Sequence, residues 1–361
     1  MKENTSIRLK NLDTIRALAC IAVLIHHIEA FKNMYKLKNY FSNDWFQYTG
    51  GHIGVILFFT LSGFLITHLL LQEKEKQNNI SVGKFYMRRV LRIWPVYFLV
   101  ILLSFLLVDF SPSTLTLVLT LTFMPNIAHG LGIGWMNSPP VWSIGVEEQY
   151  YIFWPWLFKI KIQPRKIIFV LIVIVLFLSI LPHLVLFILS DYNPSENMLE
   201  NINGVFRNLK FQCMAIGGIS AILLKNKTFI SKLNYNIWVS CFICLFPFLL
   251  WLYGFHLKFF TDEVYSIFFS LSLLILVTNN YIYIDTRLSK EIGKISYGIY
   301  MYHWIILVLF FKSDYFGPII DYAGNLFIYP FLILSTFGIA FISYYFYEKL
   351  FLKMKIKYSS E

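Results

Sequence analysis

Four groups of side chains in this sequence could do chemistry. The first is Arg16 and His27, eleven residues apart. At about 100° per residue the two share one helical face, with His27 about 16 Å further along the axis. An imidazole titrates near pH 6.5 (roughly its value in water), so a neutral ring can accept a hydroxyl proton as a general base. Asp13, three residues before Arg16, is placed to pair with it. His26 points about 100° away from His27 and suits a packing role better. The second group is Arg88, Arg89 and Arg92, in a stretch that also holds Tyr86, Trp94 and Pro95. Arg89 and Arg92 lie on one face, as do Arg88 and Arg92. Guanidinium forks hold phosphate well, and arginine beside Trp and Tyr suits a nucleotide-bearing ligand such as coenzyme A. Anchoring a helix end at the membrane surface is the other reading, and the favoured one for Arg88. The third group is Glu147 and Glu148, with Gln149, behind Trp142 and Ser143. One carboxylate can serve a helix N-terminus; two acids and an amide exceed that need, so one is expected to face a cavity. In the fourth, Ser296, Tyr300 and His303 follow an i, i+4, i+7 pattern, which fits either a packing seam or the wall of a substrate tunnel. HxxxH and HExxH spacings are absent from the sequence, so no metal site is expected.

The elements that must position these residues are membrane helices. Of 361 residues, 57% are hydrophobic and 14% charged, and mean hydropathy is +0.61. Soluble domains carry about 25% charged residues. With 36 Phe and 23 Tyr, a soluble fold of this length could not hide its apolar surface. Ionisable groups in spanning helices are costly, at about 2.5 kcal/mol or more each, so those named above are functional candidates. Leu18 to Ile28 is apolar but contains His26 and His27 and precedes no small-residue cleavage site, so it reads as a spanning helix and not a signal peptide. Cys20, Cys213, Cys241 and Cys244 lie in or beside apolar runs and read as buried small residues; the CxxC pair has no partner pair.

Runs of about 20 apolar residues, enough to cross a bilayer, occur at 14–31, 52–71, 91–109, 142–158, 166–190, 208–224, 236–253, 264–281, 295–312 and 325–348. The run 113–124 is too short and ends at Met124-Pro125, so it is expected to be re-entrant. Counting ten crossings from an inside N-terminus gathers most of the 31 Lys and Arg on the cytoplasmic side. The exceptions are Lys32, Lys36, Lys38, Arg207, Lys210, Lys258 and Lys312. Letting 113–124 cross would invert every later loop and erase that bias. The expected architecture is therefore an all-α bundle of about ten transmembrane helices plus a short re-entrant segment, both termini cytoplasmic, forming a single domain over residues 1–361. The net charge of +11 belongs to this topology; nucleic acid is not the expected partner.

The chain resembles the acyltransferase 3 family of bacterial integral-membrane O-acyltransferases from about residue 10 to 348. Leu12-Asp13-Thr14-Ile15-Arg16-Ala17-Leu18 is similar to the family's LDGLRAL, and Arg16 and His27 reproduce its Arg–ten residues–His spacing. Residues 58–65 (FFTLSGFL) are similar to FFxLSGFL, Arg89 to Arg92 to RxxR, 142–151 to WSLxxEEQFY and 295–303 to ISYSIYLxH. Each motif alone is weak, but six in order are specific. Thr14 replaces the usual glycine. Ile56 stands where many members carry a polar residue, which is expected to alter the acceptor pocket. Some relatives carry an appended periplasmic esterase-like domain; this sequence stops at Glu361, and a stand-alone form is expected.

The resemblance implies an enzyme of the inner membrane that moves an acyl group, most often acetyl, from cytoplasmic acyl-coenzyme A to a hydroxyl of an envelope glycan or lipid-linked saccharide. The donor is a substrate, and no bound cofactor is implied. A thioester is already activated, so the enzyme supplies mainly a base and a meeting place. On this reading His27 is the general base, or less directly a transiently acylated group. Arg89 and Arg92 hold the coenzyme A phosphates, Arg16 lines the path inward, and Glu147 orients the acceptor on the outer side. Ser62 and His303 belong to the cavity wall. The alternative is a transporter or flippase for a glycolipid or small anion. Such proteins usually show internal repeats, and none is evident here. The acceptor, the acyl group and the oligomeric state are not encoded in any motif.

Overall fold

The computed structural model describes residues 9–41, 49–108, 112–134, 140–160, 163–192, 195–234, 236–313 and 325–358. Lys2, Arg8 and Lys161, which enter the charge reading, lie outside them, as does Glu361. Among the described residues the chain is helical, with no strand. The long helices are α1 (Leu12–Met34), α2 (Gly50–Gln77), α3 (Val82–Leu107), α6 (Val141–Lys159), α7 (Pro164–Ser190), α11 (Ile237–Tyr253), α12 (Thr261–Thr278), α13 (Arg287–Phe311) and α14 (Ile328–Ser343). Shorter ones are α4 (Thr114–Leu121), α5 (Pro125–Gly130), α8 (Glu196–Arg207), α9 (Phe211–Leu223), α10 (Lys227–Leu233) and α15 (Lys349–Lys355). A π-helical turn, Tyr344–Glu348, joins α14 to α15.

Seven helices among the described residues are long and apolar enough to span a bilayer. An eighth is added if Glu196–Leu223 and Lys227–Leu233, bent by 103°, form one span. Every apolar run read from the sequence falls on a helix. Two fall short of the spanning criteria: α11 has 17 residues, and α6 carries its two acids in mid-course. The molecule is a multi-pass membrane protein. The run 113–124 yields only the eight residues of α4, about 12 Å at 1.5 Å per residue. That is far below the ~30 Å of a hydrocarbon core. Phe123 then takes a left-handed conformation (φ 60°) and turns the chain into α5.

Burial separates the helices into a core and a lipid-facing shell. Of the most apolar stretch of α2, 78% is buried, against 17% for α7. A helix hydrophobic all round belongs either at the centre of a bundle or against lipid, and these two take one place each. Small residues let α2 and α9 approach closely. A Cβ on Gly63 would lie 1.9 Å from the Met214 carbonyl oxygen, and one on Gly217 would lie 2.0 Å from that of Thr60. Trp154 Nε1 donates to Thr67 Oγ1 (2.8 Å) and fixes α6 to the same helix.

The start of α1 is held by the segment that leads into α13. Asp285 accepts from the Asn11 and Thr14 amides (2.8 and 3.1 Å), supplying a carboxylate where a helix N-terminus favours one. The Thr14 hydroxyl bonds to Ser289 Oγ (2.8 Å) and the Ile284 carbonyl (3.0 Å), which gives the threonine at this glycine position a structural use. Thr286 and Ser289 form a reciprocal cap on α13. At the other end of α1, Lys32 and Glu29 are fully buried and paired at 3.0 Å, with the ammonium over the rings of Tyr40 and Tyr329. Helix α1 is thus pinned at one end to the segment that leads into α13 and at the other to Tyr329 of α14, and Arg16 and His27 lie between.

Candidate functional site

Arg16 and His27 lie on α1, which runs unbroken between them, so the face they share in sequence is shared in space. Asp13 accepts from Arg16 Nη1 at 3.1 Å, as the spacing requires. On α3, Arg88 turns from the other two arginines. Its guanidinium pairs with buried Glu73 (2.6 Å) and donates to the Tyr358 carbonyl (2.9 Å), a structural clamp. Arg89 and Arg92 instead line a cavity of about 140 Å³ (space open to the centre of a water-sized sphere), together with Arg16. The Arg89 guanidinium lies over the rings of Phe85 and Tyr151. Its buried Nε has no hydrogen-bond partner among the described residues.

Across the cavity stand Ser62 from α2, Glu147 and Tyr151 from α6, and Ser296 and Tyr300 from α13. Ser62 Oγ donates to Glu147 Oε1 (2.7 Å) and Tyr151 OH to Oε2 (3.0 Å), so both carboxylate oxygens are held. The neighbouring Glu148 points elsewhere and accepts from Trp94 Nε1 at 2.8 Å. Of the two acids, only Glu147 faces the cavity. The cavity it faces is the one the arginines line. Ile56, expected to shape a pocket, is fully buried in the core; its neighbour Val55 reaches the cavity wall.

His27 and His303 do not line this cavity. Tyr300 stands between, with its hydroxyl 2.6 Å from Ser143 Oγ and its ring edge-on to Phe58 at 5.8 Å. Behind it the two histidines meet. His303 Nε2 lies 2.9 Å from His27 Nδ1, with the rings stacked at 4.9 Å. Trp304 closes on His27 from another side, at 5.1 Å. His26 packs against the first turn of α2, where a Cβ on Gly51 would meet its ring at 2.6 Å.

The hydrogen bonds assign the tautomers. His303 Nδ1 lies 2.6 Å from the Tyr300 carbonyl oxygen, which can only accept, so Nδ1 carries the proton. In the neutral ring Nε2 is then an acceptor, and His27 Nδ1 must donate to it. With both rings neutral, the lone pair of His27 is left on Nε2. The arrangement can remove a proton at that atom and hold the resulting ring in place.

The sequence reading placed all seven candidate residues, Arg16, His27, Ser62, Arg89, Arg92, Glu147 and His303, on helices. The structure brings five around one cavity and sets the two histidines together beyond it. Tyr151 and Tyr297, which also line the cavity, were missed. Tyr151 follows Glu147 at i+4, a signal that was available. The His27–His303 contact joins residues 276 apart and has no local signature.

A family model described as an acyltransferase domain matches residues 9–345. An uncharacterised protein of Haemophilus influenzae is 32% identical over 215 residues, 53% of this chain and 85% of that protein. The peptidoglycan O-acetyltransferase OatA of Listeria monocytogenes is 26% identical over 336 residues, 86% of this chain and 51% of its own length. The O-acetyltransferase OatA of Staphylococcus aureus is 26% identical over 368 residues, 94% of this chain and 56% of its own. The chain thus spans about half the length of the O-acetyltransferases it matches. No solved structure matches it.

Proposed function

The chain belongs to the acyltransferase 3 family, and on that premise we propose that it transfers an acyl group, acetyl first among the candidates, from acyl-coenzyme A to a hydroxyl of an envelope glycan, with His27 Nε2 as general base. The observation that carries this is the hydrogen-bond chain from the Tyr300 carbonyl through His303 to His27, which leaves a lone pair at one defined atom. Peptidoglycan is the acceptor class that the relatives' names favour. In this reading the chain crosses the inner membrane ten times, with both termini and the arginine cavity on the cytoplasmic side.

The donor's nucleotide phosphates sit on Arg89 and Arg92, with Arg16 further along the path. In place of the acceptor-side role read from sequence, Glu147 serves the donor. Held by Ser62 and Tyr151, it presents carboxylate lone pairs to the amide N–H groups of the donor's pantetheine arm. The thioester reaches His27 past Tyr300, whose side chain divides the cavity from the histidines. His27 Nε2 takes the hydroxyl proton as the acceptor oxygen attacks the thioester carbonyl carbon. The tetrahedral adduct then expels the thiolate as the C–S bond breaks, and the imidazolium returns its proton to the sulfur. The products are the ester and free coenzyme A, and His27 ends as it began. His303 stabilises the imidazolium by accepting from Nδ1–H throughout.

The test is purified protein in lipid nanodiscs with acetyl-coenzyme A and isolated envelope glycan. Release of coenzyme A thiol that depends on glycan, with one acetyl gained per thiol in the glycan's mass spectrum, is expected. Glycan-independent thiol release, or none, would contradict the assignment.

A further inference from the structure

The inward face of the C-terminal helix carries the wrong kind of residue for packing. In the continuous helical stretch 349–358, Phe351, Leu352, Lys355 and Tyr358 are partly buried at the three- and four-residue spacing of one face. Met354 and Ile356 point out, 57% and 68% exposed, and Lys353 and Lys357 are exposed as well. A lysine has thus been turned in while flanking hydrophobes are turned out. Its direction is fixed by contacts on both sides. One turn later the Tyr358 carbonyl accepts from Arg88 Nη1 (2.9 Å), and one turn before α15 Tyr347 OH donates to the Pro95 carbonyl (3.2 Å) on α3.

Lys355 therefore faces the stretch of α3 that carries the arginines, and the charges acting on it are those of Arg89, Arg92, Arg88 and Arg16. Two of these have carboxylates of their own: Asp13 pairs with Arg16 and Glu73 with Arg88. Glu147, held by Ser62 and Tyr151, lines the same cavity as Arg89 and Arg92, and Glu348 lies where it feels Arg92. Among the described residues, Arg89, Arg92 and Lys355 make no ion pair with a carboxylate. Like charges gathered in a poorly hydrated place repel. Three cations here face two carboxylates, neither of them ion-paired to any of the three, which leaves a positive charge for a further anion to meet.

We propose that Lys355, ten residues beyond the matched family segment, completes a phosphate-binding subsite with Arg89 and Arg92 at the mouth of the cavity. The ligand chemistry is a group carrying two or more phosphate charges close together. Two sources could offer it, the bisphosphate nucleotide of the donor and an anionic lipid headgroup. The cavity lined by the same arginines favours the nucleotide, so this inference rests on the donor reading above.

Binding to full-length protein in nanodiscs tests it, with adenosine 3′,5′-bisphosphate as the soluble probe and co-purified phosphatidylglycerol measured by mass spectrometry. Lys355→Gln is expected to weaken nucleotide binding about tenfold, the scale of one charge-assisted contact. Lys355→Arg is expected to restore it, and Lys357→Gln, on the exposed face, to leave it unchanged. If the unsubstituted protein binds the nucleotide and Lys355→Gln binds it equally well, the role of Lys355 is overturned while the donor reading stands. If the unsubstituted protein does not bind it, both fall. Loss of bound lipid with unchanged nucleotide affinity would assign Lys355 to the membrane and overturn the subsite.

Discussion

Replacing His303 by Phe removes the acceptor for His27 Nδ1–H while keeping an apolar ring in a position that is 1% exposed. The lost hydrogen bond spans 2.9 Å between two neutral rings. Leaving a buried donor without its partner costs about 1–3 kcal/mol. In the reaction the cost falls on the transition state, where Nδ1–H is most acidic and needs its acceptor most. At about 1.36 kcal/mol per tenfold change, kcat drops roughly 5- to 150-fold. That lies mostly below the ~10²- to 10⁴-fold that a general base contributes, because the base itself remains in place. The KM for acyl-coenzyme A is expected to stay within about twofold, since His303 does not line the donor cavity. His303→Gln, which offers an amide oxygen to the same donor, recovers some of the loss. Steady-state transfer in nanodiscs with the donor varied reads both constants, and the thermal midpoint verifies folding. An unchanged kcat, or a loss expressed entirely in donor KM, would refute the positioning role.

Three further outcomes follow from separate regions of the structure. Arg89→Lys is expected to raise donor KM about tenfold, because an ammonium cannot reproduce the guanidinium's fork or its seat over Phe85 and Tyr151; donor titration against kcat reads it. Gly63→Ala puts a methyl group 1.9 Å from the Met214 carbonyl and must push the α2 and α9 backbones apart, so it costs more than the ~1–3 kcal/mol of ordinary overpacking and lowers the thermal midpoint in detergent well below that of an exposed Gly83→Ala. Lys32→Met strands buried Glu29 and is expected to destabilise by about 3–5 kcal/mol, whereas Lys32→Met with Glu29→Leu recovers much of it; a double-mutant cycle on thermal midpoints separates the two.

Much of this was legible in the sequence because the signals are local. Arg16 and His27 share a face through helical periodicity alone, Asp13 finds Arg16 at three residues, and ten apolar runs mark where helices lie. The short run before Pro125 was readable as a segment that cannot cross. The site's closure was not. Whether Glu147 or Glu148 faces inward depends on the rotation of α6 against α2, set by Trp154 on Thr67 and by Ser62 on Glu147, contacts more than 80 residues apart. The partnership of His27 with His303 depends on how α1 packs on α13. Lys355 looked like one more basic residue in a lysine-rich tail until the turn at Tyr344–Glu348 rotated it inward.

The central claim is that His27 accepts the proton of the hydroxyl that is acylated. The most direct measurement compares unsubstituted protein with His27→Ala for glycan-dependent release of coenzyme A thiol, alongside adenosine 3′,5′-bisphosphate binding to the same preparations. Loss of transfer by about 10²-fold or more with nucleotide affinity unchanged is the expected result. Transfer at the normal rate from a folded, nucleotide-binding His27→Ala protein would contradict it.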